Sequence, residues 1–290
     1  MFETLIAQIF NGMTMGAMYA LVAAGLALTI GVLRVVNFAH GDLFMVGAYL
    51  FWFIYVQLGL SYLTSSLIVV PTMALVGVLF YFLVIRPVLT RSWQVQLIAT
   101  LAASTILNNA VILLLGNVPQ STPTAWSRTS VTLLGVIMSQ QRVVLLALTP
   151  IIFLCLHLFL KYTRIGMAMR ALAQNREAAA VAGIKVGVIA IVTFALGSAL
   201  IGIGNVLIVP TYSVFPSMGT MLTMKGFAVM IVGGYGRVNA TILAAFLLGV
   251  AEALGTGYIS SGYADAFAFI AMIIVLLVAP QGLFGRKVGL

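Results

Sequence analysis

Seven stretches of this sequence contain no Asp, Glu, Lys or Arg: residues 4–33, 43–85, 92–127, 143–160, 186–224, 238–251 and 266–285. Soluble domains place charge at about a quarter of their positions, because their surface must face water. Here 7% of 290 residues are charged and 63% are hydrophobic. A soluble enzyme, a disordered chain and a nucleic-acid binder are all poor readings of such a pattern. The net charge of +9 therefore needs an explanation other than an acidic partner. The chain is an integral membrane protein.

A helix needs roughly 20 apolar residues to cross a bilayer. The candidate spans are 10–32, 42–58, 62–85, 94–115, 142–160, 188–209, 218–234, 238–257 and 263–279. Gly59-Leu60-Ser61 supplies a turn inside the longest run, and Pro210 to Pro216 breaks another. The segment 218–234 is short, ends in Gly233-Gly234-Tyr235-Gly236 and carries Lys225 near its middle. A broken or re-entrant helix is expected there, which membrane depth tolerates only when protein or a watery cavity satisfies the backbone. The expected fold is all-α and polytopic, with eight or nine transmembrane helices in one domain over residues 1–290. Met1-Phe2-Glu3-Thr4 has no basic region before the first apolar stretch, so that stretch reads as a retained anchor.

Sidedness follows from the basic residues. With nine spans and the N-terminus outside, Arg34, Arg86, Arg91, Lys161, Arg164, Arg170, Arg176, Lys185, Arg237, Arg286 and Lys287 are cytoplasmic. Arg128 and Arg142 are then extracytoplasmic, in a polar loop over 116–141, and Lys225 lies within a span. If 218–234 did not cross, Arg237, Arg286 and Lys287 would change sides, so the rule favours a crossing. The C-terminus is then cytoplasmic.

The cytoplasmic loop 161–187 holds six of the 19 charged residues. Asn175 can cap a short helix, Glu177 in its first turn complements the dipole, and Ala178 to Ala180 have high helix propensity. Gly183 suits the left-handed position that ends such a helix. On spacing alone, docking into a soluble partner and a solvated or lipid-lying linker are equally good readings.

Lys225 and Glu252 are the deep charges, and isolated buried charge is costly. Either they pair inside the protein, directly or through water, or each snorkels to an interface. Asn37, His40, Gly41 and Asp42 share a short cytoplasmic turn in which Asp42 is expected to open the next helix as a cap. Ser104, Thr105, Asn108, Asn109, Thr193 and Asn205 are uncharged polar groups within spans, able to line a hydrophilic path or to bond across helices. Gly12 with Gly16, and Ser198 with Gly202, permit close helix approach, though such patterns are common in membrane helices. Cys155 cannot form an internal disulfide and reads as a packed or lipid-facing thiol; His157 reads as packed or interfacial. No catalytic or metal-ligating constellation is evident. The sequence has no Gly-x-x-x-x-Gly-Lys-Ser/Thr loop, so a nucleotide would have to be bound by another chain.

Four ordered motifs resemble the branched-chain amino acid permease family, the membrane subunits of bacterial ATP-binding-cassette importers. They are Gly16 to Leu26 followed by Gly31 to Asp42; the loop from Arg164 to Lys185; Met224-Lys225-Gly226-Phe227 with Gly233-Gly234 and Glu252; and Asp265, Phe269 and Pro280 to Gly285. The resemblance covers almost the whole chain, which is similar to the shorter of two paired permeases. It departs at Met167, Ala279 and Val238-Asn239, where a basic residue, an arginine and a Pro-Gly-like turn are common. It implies a coupling loop in which Arg164, Gly166, Arg170, Ala173, Glu177, Ala178, Gly183 and Ile184 match the family pattern, with Asn175 as the cap. It also implies two ATPase subunits carrying ATP and Mg, a second and usually non-identical permease, a periplasmic substrate-binding protein, and a place in the bacterial cytoplasmic membrane. The implied activity is import of branched-chain or other hydrophobic amino acids by alternating access, with no covalent chemistry on this chain. Rival readings are a permease for urea, short amides or another small polar solute, and an autonomous carrier or channel.

Overall fold

The computed structural model describes residues 2–284. Gly285, Arg286 and Lys287, expected at the cytoplasmic end, lie outside the described residues. The chain begins with α1 (Phe2–Leu33) and α2 (His40–Trp52), which runs on as a π-helical turn, Phe53–Gln57. Next come α3 (Tyr62–Phe80), a second π-helical turn (Tyr81–Ile85), α4 (Arg86–Val88) and α5 (Trp93–Leu115). The polar loop folds into α6 (Ala125–Arg128) and an antiparallel hairpin of β1 (Ser130–Leu133) and β2 (Val136–Ser139). It leads to α7 (Gln140–Tyr162), then α8 (Arg164–Gln174) and α9 (Arg176–Val181). The chain closes with α10 (Val186–Ile208), α11 (Met218–Gly233), α12 (Val238–Tyr258) and α13 (Ala264–Val278).

Seven helical segments among the described residues are long and apolar enough to cross a membrane, and Met218–Gly233 is a shorter apolar helix. The polar start of α2, His40-Gly41-Asp42, keeps it out of the seven. The polytopic all-α expectation holds.

The centre of the bundle is α1, packed along most of its length on α12 and also on α10 and α11. Small residues make this contact close. A β carbon on Gly12 would stand 2.5 Å from the Val250 α carbon, and one on Gly16 would stand 2.7 Å from that of Phe246. Gly31 meets the backbone of Gly236 at the other end, so α12 runs antiparallel to α1. Ser198 and Gly202 do the same work between α10 and α3, against Gly77 and Val70. Both small-residue pairs are true helix crossings.

Two helices start at depth. The His40 ring Nε2 lies 3.1 Å from the Val22 carbonyl. Val22 is well inside α1, about 16 Å from its end at Leu33 at 1.5 Å rise per residue. The chain reverses at Arg34, in the left-handed region at φ 57°, and residues 35–39 return into the core. Gly41 meets the Gly219 carbonyl of α11 so closely that a β carbon would stand 2.0 Å from it, so the first turn of α11 sits at the start of α2. This explains why α11 is only about 24 Å long, short of a roughly 30 Å hydrocarbon core. Its approach segment is buried among neighbours at Val214 and Met218, the condition under which irregular backbone survives there. At its far end α11 meets the last described residues, with Leu283 N–H donating to the Val232 carbonyl at 2.8 Å.

Candidate functional site

The α8–α9 connection is built by local capping. Thr163 Oγ1 accepts from the Gly166 N–H at 2.9 Å and starts α8. Gly166 has to be glycine, because a β carbon would stand 2.4 Å from the Phe159 carbonyl oxygen. Met169 and Leu172 are buried and seat α8 on the bundle, while the Arg170 guanidinium donates to the Lys161 carbonyl at 3.0 Å. Asn175 Oδ1 accepts from the N–H groups of Glu177 (2.9 Å) and Ala178 (3.0 Å), which caps α9 as expected. Gly183 has φ 87°. Its N–H donates to the Ala180 carbonyl, and that of Ile184 to the Ala179 carbonyl, a complete Schellman ending.

The loop therefore holds two helices where the sequence argued for one. Ala179 is buried and Ala173 half-buried, while Arg164, Met167, Arg170, Glu177 and Ala178 are exposed. Val181, which no sequence argument singled out, is 89% exposed. A bare valine on a short helix beyond the spans has no neighbour among the described residues to cover it.

A second constellation lies inside the bundle. The Lys225 ammonium on α11 donates to Glu252 Oε1 of α12 at 2.7 Å and to the Tyr19 hydroxyl of α1 at 2.8 Å. Tyr19 in turn donates to both carboxylate oxygens of Glu252, at 3.0 and 3.1 Å. Asp265 of α13 completes the group, 2.8 Å from the ammonium. Direct pairing, not snorkelling, accounts for the two deep charges. Tyr19 and Asp265 belong to the cluster too; both lie in motifs of the resemblance, but spacing alone does not reveal the contact.

The Asn37–Asp42 segment is not a surface turn. Asn37, His40 and Asp42 are all buried, because the segment re-enters the bundle beside Val22. Asp42 is no cap either. Ala39 holds the cap position with no side-chain bond, and neither Asp42 carboxylate oxygen has a hydrogen-bond partner among the described residues. Gly41 N–H donates to Thr223 Oγ1 at 2.9 Å, which joins the starts of α2 and α11.

The six uncharged polar residues fall into two groups. Ser104, Thr105, Asn108 and Asn109 lie on α5, with Thr105 and Asn109 exposed and Asn108 Nδ2 donating to the Pro216 carbonyl at 2.9 Å. Thr193 and Asn205 are buried in α10, where Thr193 bonds back to Ile189 and the Asn205 amide has no hydrogen-bond partner among the described residues. Cys155 is exposed on α7, the lipid-facing alternative. His157 Nδ1 lies 3.2 Å from Asn239 Nδ2, a bridge between α7 and α12.

A family model described as "Branched-chain amino acid transport system / permease component" matches residues 8–276. The chain is 31% identical to the high-affinity branched-chain amino acid transport system permease protein LivH of Salmonella typhimurium, over 96% of this chain and 95% of that protein. It is equally identical, with the same coverage, to the corresponding protein BraD of Pseudomonas aeruginosa. Among solved structures, PsaBC from Streptococcus pneumoniae in complex with Fab aligns over 93% of this chain and 91% of that chain. The TM-score is 0.50 at 12% identity, a likeness of fold alone.

Proposed function

This chain belongs to the branched-chain amino acid transport permease family, and we propose that it is the membrane-spanning half of an ATP-driven importer for branched-chain or other hydrophobic amino acids. The observation that carries this reading is the α8–α9 pair. It is pinned to the bundle through Met169 and Leu172 and presents Arg164, Met167, Glu177 and Val181 outward. An ATPase subunit docks on that surface, and a second, non-identical permease brings its own. ATP and Mg bind on the ATPase pair. Closure of the pair moves α8 and α9, and α8 passes the movement to α1, α7 and α10, which it touches. The bundle then alternates between outward and inward openings, and a substrate-binding protein delivers solute on the opposite face.

The basic residues put α8 and α9 on the cytoplasmic side, with the C-terminus. The exposed Thr105 and Asn109 of α5 supply part of a hydrophilic path. A weakly polar path suits a passing zwitterion, because tight binding would slow release.

The test is uptake by the reconstituted complex. Leucine uptake with its binding protein should stop when ATP is withdrawn and continue when an uncoupler collapses the ion gradient. The reverse pattern identifies an autonomous carrier, and stimulation of ATP hydrolysis by urea or short amides, but not by leucine, reassigns the substrate.

A further inference from the structure

Where α1 ends, a groove of about 740 Å³ opens between α7 and α12. Its floor is α1, at Ala27, Leu28, Gly31 and Val32, and α8 closes its end with Met169 and Arg170. The polar part of the lining is one-sided. Lys161, Arg170 and Arg237 contribute three cations, with His157 and Asn239 between them, and the lining contains no carboxylate. Among the described residues none of the three cations makes a salt bridge. Arg170 donates to the Lys161 carbonyl and Arg237 to that of Phe284, contacts that fix the two guanidinium groups without neutralising them.

The apolar part lies in the membrane-spanning stretch of α1. The helices on either side of the groove turn bare leucines outward, Leu158 on α7 and Leu243 on α12, so the groove opens sideways to the hydrocarbon. An occupant must bring negative charge at one end and chain-like apolar surface at the other. Basic pockets between membrane helices on the cytoplasmic side meet these demands with anionic lipid headgroups.

We propose that this groove is a binding site for one anionic phospholipid of the inner leaflet. The phosphate sits among Lys161, Arg170 and Arg237, and an acyl chain lies along Leu28 and Val32. The lipid ties α8 to the start of α12, beside the His157–Asn239 contact that joins α7 to α12.

The test is native mass spectrometry of the full chain, purified in detergent and offered phosphatidylglycerol and phosphatidylcholine with identical tails in equal amounts. One phosphatidylglycerol should stay bound under activation that strips phosphatidylcholine. Replacing two of the cations, K161Q/R237Q, should lower its retention roughly thirtyfold. The charge-matched R86Q/R91Q, outside the groove lining, should leave retention unchanged. If K161Q/R237Q does not purify as one species, the exposed single change K161Q carries the test. Equal retention of the two lipids, or equal loss in R86Q/R91Q, overturns the site. Displacement by excess inorganic phosphate would show a free-anion site, and loss of the lipid on adding the ATPase subunits would give the groove to that partner; either result overturns the assignment.

Discussion

Lys225 and Glu252 stand 27 residues apart in the chain and 2.7 Å apart in space. Lys225 is shared with a second acid, since Asp265 lies 2.8 Å away and is 47% exposed against 2% for Glu252. The two ends of the pair are therefore unequal. Glu252→Gln leaves the ammonium with Asp265 and Tyr19, whereas Lys225→Met leaves a buried carboxylate with no cation. Breaking a buried pair costs roughly 3–5 kcal/mol. Lys225→Met should reach that range and Glu252→Gln should fall below it, with the double change costing less than the two singles summed. Thermal unfolding of the purified chain measures all three, and strict additivity would show that the pair is not coupled.

The meeting of α2 and α11 leaves no room for a side chain. A β carbon on Gly41 would stand 2.0 Å from the Gly219 carbonyl oxygen and 2.4 Å from Thr223 Oγ1. The first of these is backbone of another helix and has nowhere to go. Gly41→Ala should cost at least the 1–3 kcal/mol typical of overpacking. Gly187→Ala, in the first turn of α10 with nothing within 4 Å, should instead stabilise, by less than the about 0.5–1 kcal/mol of a mid-helix glycine. Opposite signs in one thermal-shift assay check the contrast.

What was legible in the sequence follows the range of the forces involved. The spans could be read because bilayer crossing is a local requirement, met by each run on its own. The Asn175 cap and the Gly183 ending could be read because both are set within a few residues. The depth at which α2 and α11 begin could not, since it depends on Gly41 meeting Gly219 across the fold. The same applies to Asp42, which by spacing belongs to a capped turn and by packing is buried. Rarity alone brought Lys225 and Glu252 together. Tyr19 is one of ten tyrosines, so nothing local marks it as their partner.

Asn175 satisfies two N–H groups of α9, a helix of only six residues. Asn175→Ala should remove about 0.5–2 kcal/mol of local stability, enough to fray so short an element. Hydrogen exchange at the Glu177 and Ala178 amides should speed up while the α1 amides are unchanged. In the proposed importer complex, ATP-dependent uptake should fall although the chain still inserts and folds. Undiminished uptake with a frayed α9 would remove α9 from the coupling surface.

Asp42 is fully buried, and its carboxylate has no hydrogen-bond partner among the described residues. Two opposing effects act on its charge. It sits in the first turn of α2 and against Gly219 near the start of α11, and helix N-termini favour an anion by up to about 2 kcal/mol. Desolvation of a buried ion costs several kcal/mol, so burial wins. Asp42→Asn keeps the shape without an ionisable group, so nothing has to be desolvated or neutralised on folding, and should raise the thermal midpoint of the purified chain. Asp42→Ala does the same but leaves a void beside Gly219, and should give back part of that gain. A marked loss of stability in Asp42→Asn, together with an added cation stabilising the wild-type chain but not the variant, would show that the carboxylate is ionised and holds an ion.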